Sequence, residues 1–526
     1  MKFLPSLKNA ALALLSAGLL ILAFPDFEWW FLAWFALVPL MWAIERQKES
    51  TWKSFLLGWL FGTAFFFGTC WWLTFAPIHY AAFPWPLAYL LIFIVCLISG
   101  VFPGIFAAIL AVLLRRFGSW AFLAAPFVWV FSEFLRYWLT GNNWNATGYS
   151  QAYEFLSWYA SYGGVLLTSF AVAIFNVASF RLLESIVEER DFKSIAIHIA
   201  EPAFLFLIGF FFSSSNSPMP PTTELIKNDP TVNSHVVVIQ PSVPMSGLDQ
   251  TKWQRLRQRQ IDLAESEIHK LRTTNNELRT TVILPESPMN FMYNDDREFQ
   301  QFIGDFARRN NVSVLFNSAE PDASNGRYFN SAVMVGPDGN EIAQYDKIYL
   351  LPFGEAVPLP LDGIMPGFVG NFSYGREYDL LPVGDAKAGV MICFESHFGQ
   401  LSREYVRNGA DVIIEMTNDG YLGLTPVLRQ HLANAVFRAV ETNRPVLRVT
   451  NVGITAYIDE RGNVHDPLPP YAEGTRVWTV SKSDGSQTFY VKYGDWFAWL
   501  CTIITFGLLS ISFRRRQSEP PAVAGG

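Results

Sequence analysis

Long apolar blocks constrain the fold of this chain more than any other feature of its sequence. The residues before about position 213 form a succession of apolar segments, residues 214–495 have a mixed composition, and one more apolar segment follows. Of the 526 residues, 51% are hydrophobic and only 16% are charged, which is too apolar for an ordinary soluble domain. An apolar segment of about 20 residues is long enough to span a bilayer as a helix. The sequence therefore predicts a polytopic α-helical membrane bundle joined to one globular domain.

Eight segments have the length and composition of membrane crossings. They are residues 8–24, 27–45, 54–76, 87–114, 119–139, 159–183, 194–213 and 496–513. The predicted organisation is a seven-helix transmembrane bundle over residues 1–213, a globular domain over residues 214–495, and a closing transmembrane helix with a tail over residues 496–526.

The distribution of basic residues predicts the orientation of the chain. Lysine and arginine occupy alternate connections between the segments, whereas the intervening loops 77–86 and 141–158 contain neither. Because cytoplasmic loops are enriched in these residues, we expect both ends of the chain inside and the globular domain outside. Within the fifth segment, Glu133 and Arg136 share one helical face. They are expected to pair or to line a polar cleft, unless Arg136 simply extends to the interface.

Charge and cysteine content exclude several classes of function. The net charge of −7 and the lack of a concentrated basic face argue against nucleic acid as a partner. The globular domain has one cysteine, so no disulfide framework is expected, and no Cys/His cluster has the spacing of metal ligands. We therefore expect neither a metal nor an organic cofactor.

The globular domain alternates short apolar strands with helical stretches. Strands that are apolar throughout and separated by helices predict an α/β fold whose sheet is covered on its faces. The stretch from Pro352 to Tyr378 is rich in proline, glycine and large apolar residues. We interpret it as a flap that covers a site or dips into lipid; the alternative is a packed surface loop.

Three segments of the globular domain carry residues suited to catalysis. They are Leu284-Pro-Glu-Ser287, Tyr345-Asp-Lys-Ile348 and Ile392-Cys-Phe-Glu395. The sequence predicts Glu286 and Cys393 at the ends of strands and Lys347 after a hairpin. Strands of one sheet end side by side, so Glu286, Lys347 and Cys393 can converge. A lysine lowers the pKa of a neighbouring thiol, and a carboxylate accepts its proton. Lysine and a backbone N–H near Phe394 can also hold the oxyanion of a tetrahedral intermediate.

Each of these residues has a simpler interpretation when taken alone. A buried cysteine is commonly inert, a glutamate after proline is commonly a turn residue, and a lysine beside aspartate is usually a solvated pair. Histidine is a second candidate for the base, as in Cys/His hydrolases. His397 is close to Cys393 in sequence, and His431 lies in a plausible loop.

The order and surroundings of these segments resemble the nitrilase superfamily and, more narrowly, the apolipoprotein N-acyltransferase family. The matching features include Lys347 followed by Leu351-Pro-Phe-Gly-Glu-Ala-Val-Pro358, the segment Thr417-Asn-Asp-Gly420, and Gln430-His431 leading to Arg438-Ala-Val-Glu441. Membrane crossings before the globular domain and one after it are also that family's plan. The resemblance implies that the globular domain is an α/β nitrilase-like domain, an αββα sandwich, on the extracytoplasmic side.

The resemblance also implies roles for individual residues. Cys393 is expected to be the nucleophile, Glu286 the general base and Lys347 the oxyanion-stabilising residue. Glu355 matches a carboxylate that supports the site, while Glu395, Phe394 and Trp253 are further supporting candidates. The chain departs from the family where Phe394 replaces a frequent tyrosine and where Tyr421-Leu422 replaces an aromatic pair.

The activity that the resemblance implies is a two-step acyl transfer at a bacterial inner membrane. A phospholipid donates a fatty acyl chain to Cys393 as a thioester, and the N-terminal amine of a diacylglyceryl apolipoprotein accepts it. One alternative is a membrane-anchored amidase of the nitrilase type, in which water accepts the acyl group. Another is a transporter or sensor whose outer domain only binds a ligand.

Overall fold

The computed structural model of the chain describes residues 3–187, 234–274, 279–286, 289, 291–357 and 372–514. The chain divides into two compact units. The helical unit comprises Met1–Asn216, Thr425–Gln430 and Tyr493–Gly526, and the globular unit comprises Ser217–Leu424 and His431–Lys492. The short segment Thr425–Gln430 thus belongs to the helical unit although both of its flanks belong to the globular unit, which the sequence did not predict.

Seven helices form the first part of the helical unit within the described residues. They are α1 (Leu7–Leu22), α2 (Val38–Gln47), α3 (Thr51–Cys70), α4 (Phe75–His79), α5 (Trp85–Phe117), α6 (Ala125–Thr140) and α7 (Ala160–Val187). Four spans in the described chain are long and apolar enough to cross a membrane: Thr51–His79, Trp85–Thr140, Phe155–Val187 and Trp496–Phe513. The predicted membrane bundle is therefore confirmed as a class of fold.

Of the other predicted crossings, one is interrupted in the structure and one lies outside the described residues. The segment 27–45 is not one continuous helix, because a short 3₁₀ helix, Trp30–Trp34, precedes the 10-residue α2. Pro39 lies in the first turn of α2, where proline is favoured because its missing N–H has no helical partner there. The segment 194–213 lies outside the described residues.

Small residues allow α3 and α5 to pack closely. A Cβ atom on Gly62 of α3 would lie only 2.8 Å from Cγ of Pro103 and 2.9 Å from Cα of Gly100, both on α5. Helices in membranes associate largely through such van der Waals contact, because lipid offers no hydrophobic driving force between them. Gly62 therefore allows α3 and α5 to approach more closely than a larger residue at this position would.

Glu133 and Arg136 are buried and bind the connection that follows α6. Oε1 of Glu133 accepts hydrogen bonds from the backbone N–H of Thr147 at 2.7 Å and from its hydroxyl at 2.8 Å. Arg136 donates to the carbonyl oxygen of Trp144 at 2.7 Å and lies over the ring of Phe66. Each side chain is 7% exposed, and both line one small cavity. Both side chains are therefore buried within the helical unit, where they line a cavity together with several aromatic residues.

The segment Thr425–Gln430 is held in the helical unit by polar contacts. The Gln430 side chain accepts hydrogen bonds from the indole N–H groups of Trp72 and Trp144, each at 3.2 Å. It donates to the carbonyl oxygens of Pro25 at 3.3 Å and Thr69 at 3.0 Å. A buried amide with this set of partners fixes the position of the segment.

The globular unit contains two sheets. Their strands are β1 (Ser234–Gln240), β2 (Arg279–Ile283), β3 (Ser313–Asp322), β4 (Arg327–Val335), β5 (Glu341–Asp346), β6 (Phe372–Ser373), β7 (Leu380–Val383), β8 (Ala386–Ile392), β9 (Val412–Thr417), β10 (Val446–Thr450), β11 (Ala456–Ile458), β12 (Val464–His465) and β13 (Gly474–Thr479). One sheet has the order β13-β1-β2-β3-β4-β5 with β6 on β4, and the other has the order β12-β11-β10-β9-β8-β7.

Helices cover the outer faces of these sheets. They are α8 (Gln250–Thr274), α9 (Arg297–Asn310), α10 (Gly399–Arg407) and α11 (Val427–Thr442). Helices α8 and α9 bury Ile261, Ile303 and Phe306 against the first sheet, and α10 packs against β8. The sheets contact each other through β1 with β10 and β4 with β8. This layering confirms the predicted αββα sandwich.

Parallel strands at the centre of each sheet direct their carboxyl ends to one edge. Strands β1, β2 and β3 pair in parallel in the first sheet, and β8, β9 and β10 do so in the second. Open α/β sheets build their sites at such edges. The chain then leaves the globular unit through α12 (Phe489–Tyr493) and enters α13 (Trp496–Arg514), the closing helix.

Candidate active site

Cys393 lies on a sharp turn directly after β8. It begins a 3₁₀ helix, Cys393–His397, instead of ending the strand as the sequence predicted. Its φ angle is +53°, a left-handed conformation that costs an L-residue about 1–2 kcal/mol. The residue remains partly exposed, whereas the strand before it is buried. This turn therefore presents the thiol at the edge of the sheet.

The Glu395 carboxylate holds this turn in place. One oxygen accepts hydrogen bonds from the Tyr345 hydroxyl at 2.8 Å, the Ile348 N–H at 2.8 Å and the Tyr349 N–H at 3.0 Å. The other accepts from the N–H of Ile392 at 2.8 Å. Burial raises the pKa of Glu395 to about 7, although the charge of Lys347 and these hydrogen bonds oppose the shift. Glu395 thus ties the cysteine turn to the segment that carries Lys347.

Glu286 follows β2 and lies close enough to Cys393 for its negative charge to raise the pKa of the thiol. Its carboxylate accepts hydrogen bonds from the backbone N–H of Asn418 at 3.0 Å and from Nδ2 of Asn330 at 3.3 Å. Burial raises the pKa of Glu286, and the negative charge of Glu355 adds to this, while Lys347 opposes it. The carboxylate is thus held near the thiol by Asn418 and Asn330 and has an increased affinity for a proton.

Lys347 follows β5 and is 1% exposed. Its ammonium nitrogen lies 2.9 Å and 2.8 Å from the two carboxylate oxygens of Glu355. Burial alone would lower the pKa of Lys347, but the charges of Glu355 and Glu286 raise it above its ordinary value. The side chain is therefore a fixed cation beside Glu286 and Cys393.

The pKa of the Cys393 thiol differs from the sequence expectation. Burial and the negative charge of Glu286 raise this pKa well above its ordinary value, and the lowering effect of Lys347 does not compensate for them. The sulfur therefore rests as a thiol rather than a thiolate. An attack by this sulfur requires a neighbouring group that accepts its proton.

Two asparagines complete the site and were not selected from the sequence. Nδ2 of Asn330, on β4, donates to Glu355 at 2.6 Å as well as to Glu286. Asn418 follows β9 and binds Glu286 through its backbone. Asn418 lies in the Thr417-Asn-Asp-Gly420 segment, which is a usable sequence signal. Asn330 has no local signal, since it is one of several polar residues on its strand.

The remaining candidates lie around this centre with other contacts. Trp253 donates from its indole N–H to the carbonyl oxygen of Met289 at 3.1 Å, in the segment that follows Glu286. The ring of Phe394 packs against His397 and Phe398. The Cys393 turn also contacts His397 and His431, but through the carbonyl oxygens of Phe394 and Cys393 respectively. These contacts give no support to a Cys/His pair.

Part of the predicted flap lies outside the described residues. Residues 358–371 are not described, whereas residues 352–357 and 372–378 are. Among the latter, Phe353 is 52% exposed and Tyr374 is 55% exposed. The flap itself thus remains a prediction.

An α/β sandwich with a cysteine, a glutamate and a lysine gathered at its strand ends, in a chain that also has a membrane bundle, defines a membrane-bound enzyme of the carbon–nitrogen hydrolase class. Family models agree with both parts. Residues 16–178 match the apolipoprotein N-acyltransferase N-terminal domain, and residues 276–489 match carbon-nitrogen hydrolase.

Relatives of known name cover nearly the whole chain. An apolipoprotein N-acyltransferase of Geobacter metallireducens is 30% identical over 97% of this chain and 96% of its own length. One of Pasteurella multocida is 28% identical over 92% and 91% respectively. A solved nitrilase superfamily structure from Saccharomyces cerevisiae covers 48% of this chain and 92% of its own, with 17% identity and a TM-score of 0.37. The chain belongs to the apolipoprotein N-acyltransferase family.

Proposed function

We propose that the protein transfers a fatty acyl chain from a phospholipid, through a thioester on Cys393, to the N-terminal amine of a diacylglyceryl-cysteine apolipoprotein. The observation that carries this proposal is the grouping of Cys393, Glu286 and Lys347 at one sheet edge, where Glu286 and Lys347 both lie near enough to shift the pKa of the thiol. The membrane bundle adds a reason, since both substrates reside in a bilayer. The names of the relatives support the choice of acceptor.

The first step forms the thioester. The sulfur attacks the carbonyl carbon of a phospholipid ester while Glu286 takes the thiol proton. Lys347 and the N–H of Phe394 stabilise the oxyanion of the tetrahedral intermediate. When the carbon–oxygen bond breaks, Glu286 returns the proton to the departing alkoxide. The products of this half-reaction are the acyl-enzyme and a lysophospholipid.

The second step consumes the thioester. The free amine of the acceptor attacks the thioester carbonyl, and Glu286 accepts one proton from the nitrogen. The carbon–sulfur bond breaks, the sulfur leaves and is reprotonated by Glu286, and an amide remains on the acceptor. Because the two substrates react in turn with the enzyme, substituted-enzyme kinetics follow.

The location of this reaction is the periplasmic face of a bacterial inner membrane. The alternation of basic and non-basic connections supports this orientation, and the four spans of the described residues that are long and apolar enough to cross a membrane support the attachment. A catalytic unit on that face has access to lipids and to lipid-anchored polypeptides at the same surface.

The two alternatives have unequal support. A ligand-binding transporter or sensor has little support, since the chain belongs to an enzyme family and has a carboxylate and an ammonium group close to a thiol. The hydrolytic alternative uses the same residues, because water can replace the amine in the second step. The carbon-nitrogen hydrolase match keeps this alternative relevant to the experiment.

The test measures where the acyl group goes. Purified protein in detergent is incubated with acyl-labelled phospholipid and a diacylated lipopeptide that has a free N-terminal amine. N-acylated peptide is expected from the native chain and from Cys501→Ser, a matched control in the closing helix, but not from Cys393→Ser. Free fatty acid as the sole product would contradict transfer and favour hydrolysis.

A further inference from the structure

A buried cluster of four ionisable side chains lies in the globular unit and takes no part in the two steps above. The cluster contains Glu415 on β9, Asp419 in the 3₁₀ helix Asp419–Leu422, His431 on α11 and Arg448 on β10. None of the four is more than 3% exposed. The Arg448 guanidinium lies 2.5 Å from Glu415 and 2.8 Å from Asp419. Such a cluster is costly to bury unless its charges balance.

The contacts of His431 require a proton on both ring nitrogens. Nδ1 lies 2.8 Å from a carboxylate oxygen of Asp419. Nε2 lies 3.1 Å from the carbonyl oxygen of Cys393 and 3.1 Å from a carboxylate oxygen of Glu415. All three partners are acceptors, and a neutral imidazole can donate from only one nitrogen. The imidazolium form satisfies both edges of the ring.

Charge balance leads to the same protonation state. Two carboxylates and one guanidinium leave one negative charge, which an imidazolium neutralises. The ring of His397 is a further titratable group nearby, with its centroid 5.5 Å from that of His431. Burial, then the charge of His431, keeps the pKa of His397 well below its ordinary value, so His397 is neutral.

The surroundings of His431 shift its pKa in both directions. Burial and the charge of Arg448 lower it, but Asp419 and Glu415 raise it to about 9 overall. His431 is therefore a cation at neutral pH. Its charge disappears only as the pH rises through about 9.

His431 reaches the reacting atoms through one peptide group. The carbonyl oxygen of Cys393 and the N–H of Phe394 belong to the same peptide bond, and the proposed reaction uses that N–H for the oxyanion. A charged donor at the oxygen polarises the peptide and strengthens its N–H as a donor, since linked hydrogen bonds reinforce one another. The same contact restrains Cys393 at its φ of +53°.

We infer that His431 is a positioning residue for acyl transfer, whose imidazolium holds and polarises the Cys393–Phe394 peptide so that Phe394 N–H stabilises the oxyanion. This inference rests on the proposed function. The imidazolium touches no substrate and moves no proton in the reaction. Its effect belongs to the rate of thioester formation and not to the binding of phospholipid.

The experiment compares His431→Gln with the native chain in the first half-reaction alone. Thioester formation from phospholipid is followed by intact-protein mass spectrometry in single turnover, without an amine acceptor, between pH 7 and pH 10. Glutamine can donate to the same carbonyl oxygen but carries no charge. At pH 7 the variant is expected to be roughly 10-fold slower, which is less than the ~10²–10³ for loss of a direct oxyanion donor. The apparent KM for phospholipid is expected to be unchanged.

The decisive quantity is the ratio of the native rate to the variant rate as a function of pH. Titrations of the thiol and of Glu286 occur in both proteins and cancel in this ratio. The ratio is expected to fall toward one as the pH passes through about 9, where the native chain also loses the charge. A ratio that stays constant with pH would mean that His431 is merely structural and would overturn the inference.

A second variant keeps the histidine and alters its surroundings. Glu415→Gln removes one of the carboxylates that raise the pKa of His431. The rate of thioester formation by this variant is therefore expected to decline at a pH roughly one unit lower than the rate of the native chain. This variant carries the test if His431→Gln does not fold. A decline at the native pH in Glu415→Gln would overturn the inference. If the native chain forms no thioester at all, the proposed function fails and this inference fails with it.

Discussion

The ammonium nitrogen of Lys347 lies 2.8 Å from a carboxylate oxygen of Glu355, and the two side chains are only 1% and 13% exposed. A buried lysine without a counterion would lose its proton or its position. The ion pair keeps Lys347 charged and directed toward Glu286 and Cys393 before a substrate arrives. In the proposed reaction, Glu355 thus keeps in place the cation that stabilises the oxyanion.

Replacing Glu355 by glutamine is expected to slow thioester formation by roughly 10- to 100-fold, because a buried lysine loses its ion partner. Removing this carboxylate also takes away the largest influence that raises the pKa of Lys347. The measurement is single-turnover acylation by phospholipid at pH 7. The matched control is Asp385→Asn, which breaks the ion pair with Arg279, whose side chains are 43% and 70% exposed respectively. This variant should keep the native rate. Equal rates for both variants would contradict the supporting role of Glu355.

The acid side of the pH profile reports Glu286. Because burial and the charge of Glu355 raise its pKa above 4.5, the base becomes protonated at a higher pH than an ordinary glutamate. A protonated Glu286 cannot accept the thiol proton, so acylation should decline as the pH falls and its midpoint should lie above 4.5. Glu286→Gln should abolish acylation at every pH. A profile whose acid midpoint lies at or below 4.5 would argue against Glu286 as the base.

Stability should also depend on pH through His431. The pKa of His431 is raised from 6.5 to about 9 in the folded protein. Its stabilising contribution is thus fully present below 6.5 and is lost as the pH rises through about 9, and it amounts to roughly 3 kcal/mol. Thermal unfolding in detergent at pH 6.5 and pH 9.5 should show a larger loss for the native chain than for His431→Gln. Parallel losses would contradict this expectation.

The helical unit offers a comparison of a buried amide with an exposed ion pair. Gln430→Ala removes the four hydrogen bonds of this buried amide and should destabilise the protein by about 2–3 kcal/mol. Glu28→Gln removes the partner of Arg429, but both side chains of that pair are over one third exposed. Its effect should be within about 1 kcal/mol. Thermal unfolding of the two variants in detergent measures both losses of stability. A larger loss for Glu28→Gln than for Gln430→Ala would contradict this expectation.

The fold class and the three central residues could be predicted because they leave strong local signals. Apolar segments of membrane length mark the bundle, and Glu286 and Cys393 follow recognisable buried strands. The structure brings Glu286, Lys347 and Cys393 together, while their roles remain the proposal above. The broken helix at residues 27–45 was less predictable, because its apolar composition conceals the effect of Pro39 on the start of α2.

Other parts of the site depend on tertiary contact and had no such signal. Asn330 can be recognised as a site residue only from the fold, in which its side chain donates hydrogen bonds to both Glu286 and Glu355. The cluster around His431 joins two strands, a 3₁₀ helix and a helix, so no spacing in the sequence reveals it. The raised pKa of Cys393 also depends on burial, which affects this pKa more than the charge of Lys347 does. The lysine is visible in the sequence, whereas the burial is not.

The most direct test of the account is mass spectrometry of the purified native chain after incubation with a phospholipid of defined acyl length. The account predicts a mass increase of one acyl group on the peptide that contains Cys393, removed by hydroxylamine and absent from Cys393→Ser. The same increase should appear in Cys501→Ser. An adduct on another residue, or none in a preparation that still acylates the lipopeptide, would contradict a thioester at Cys393.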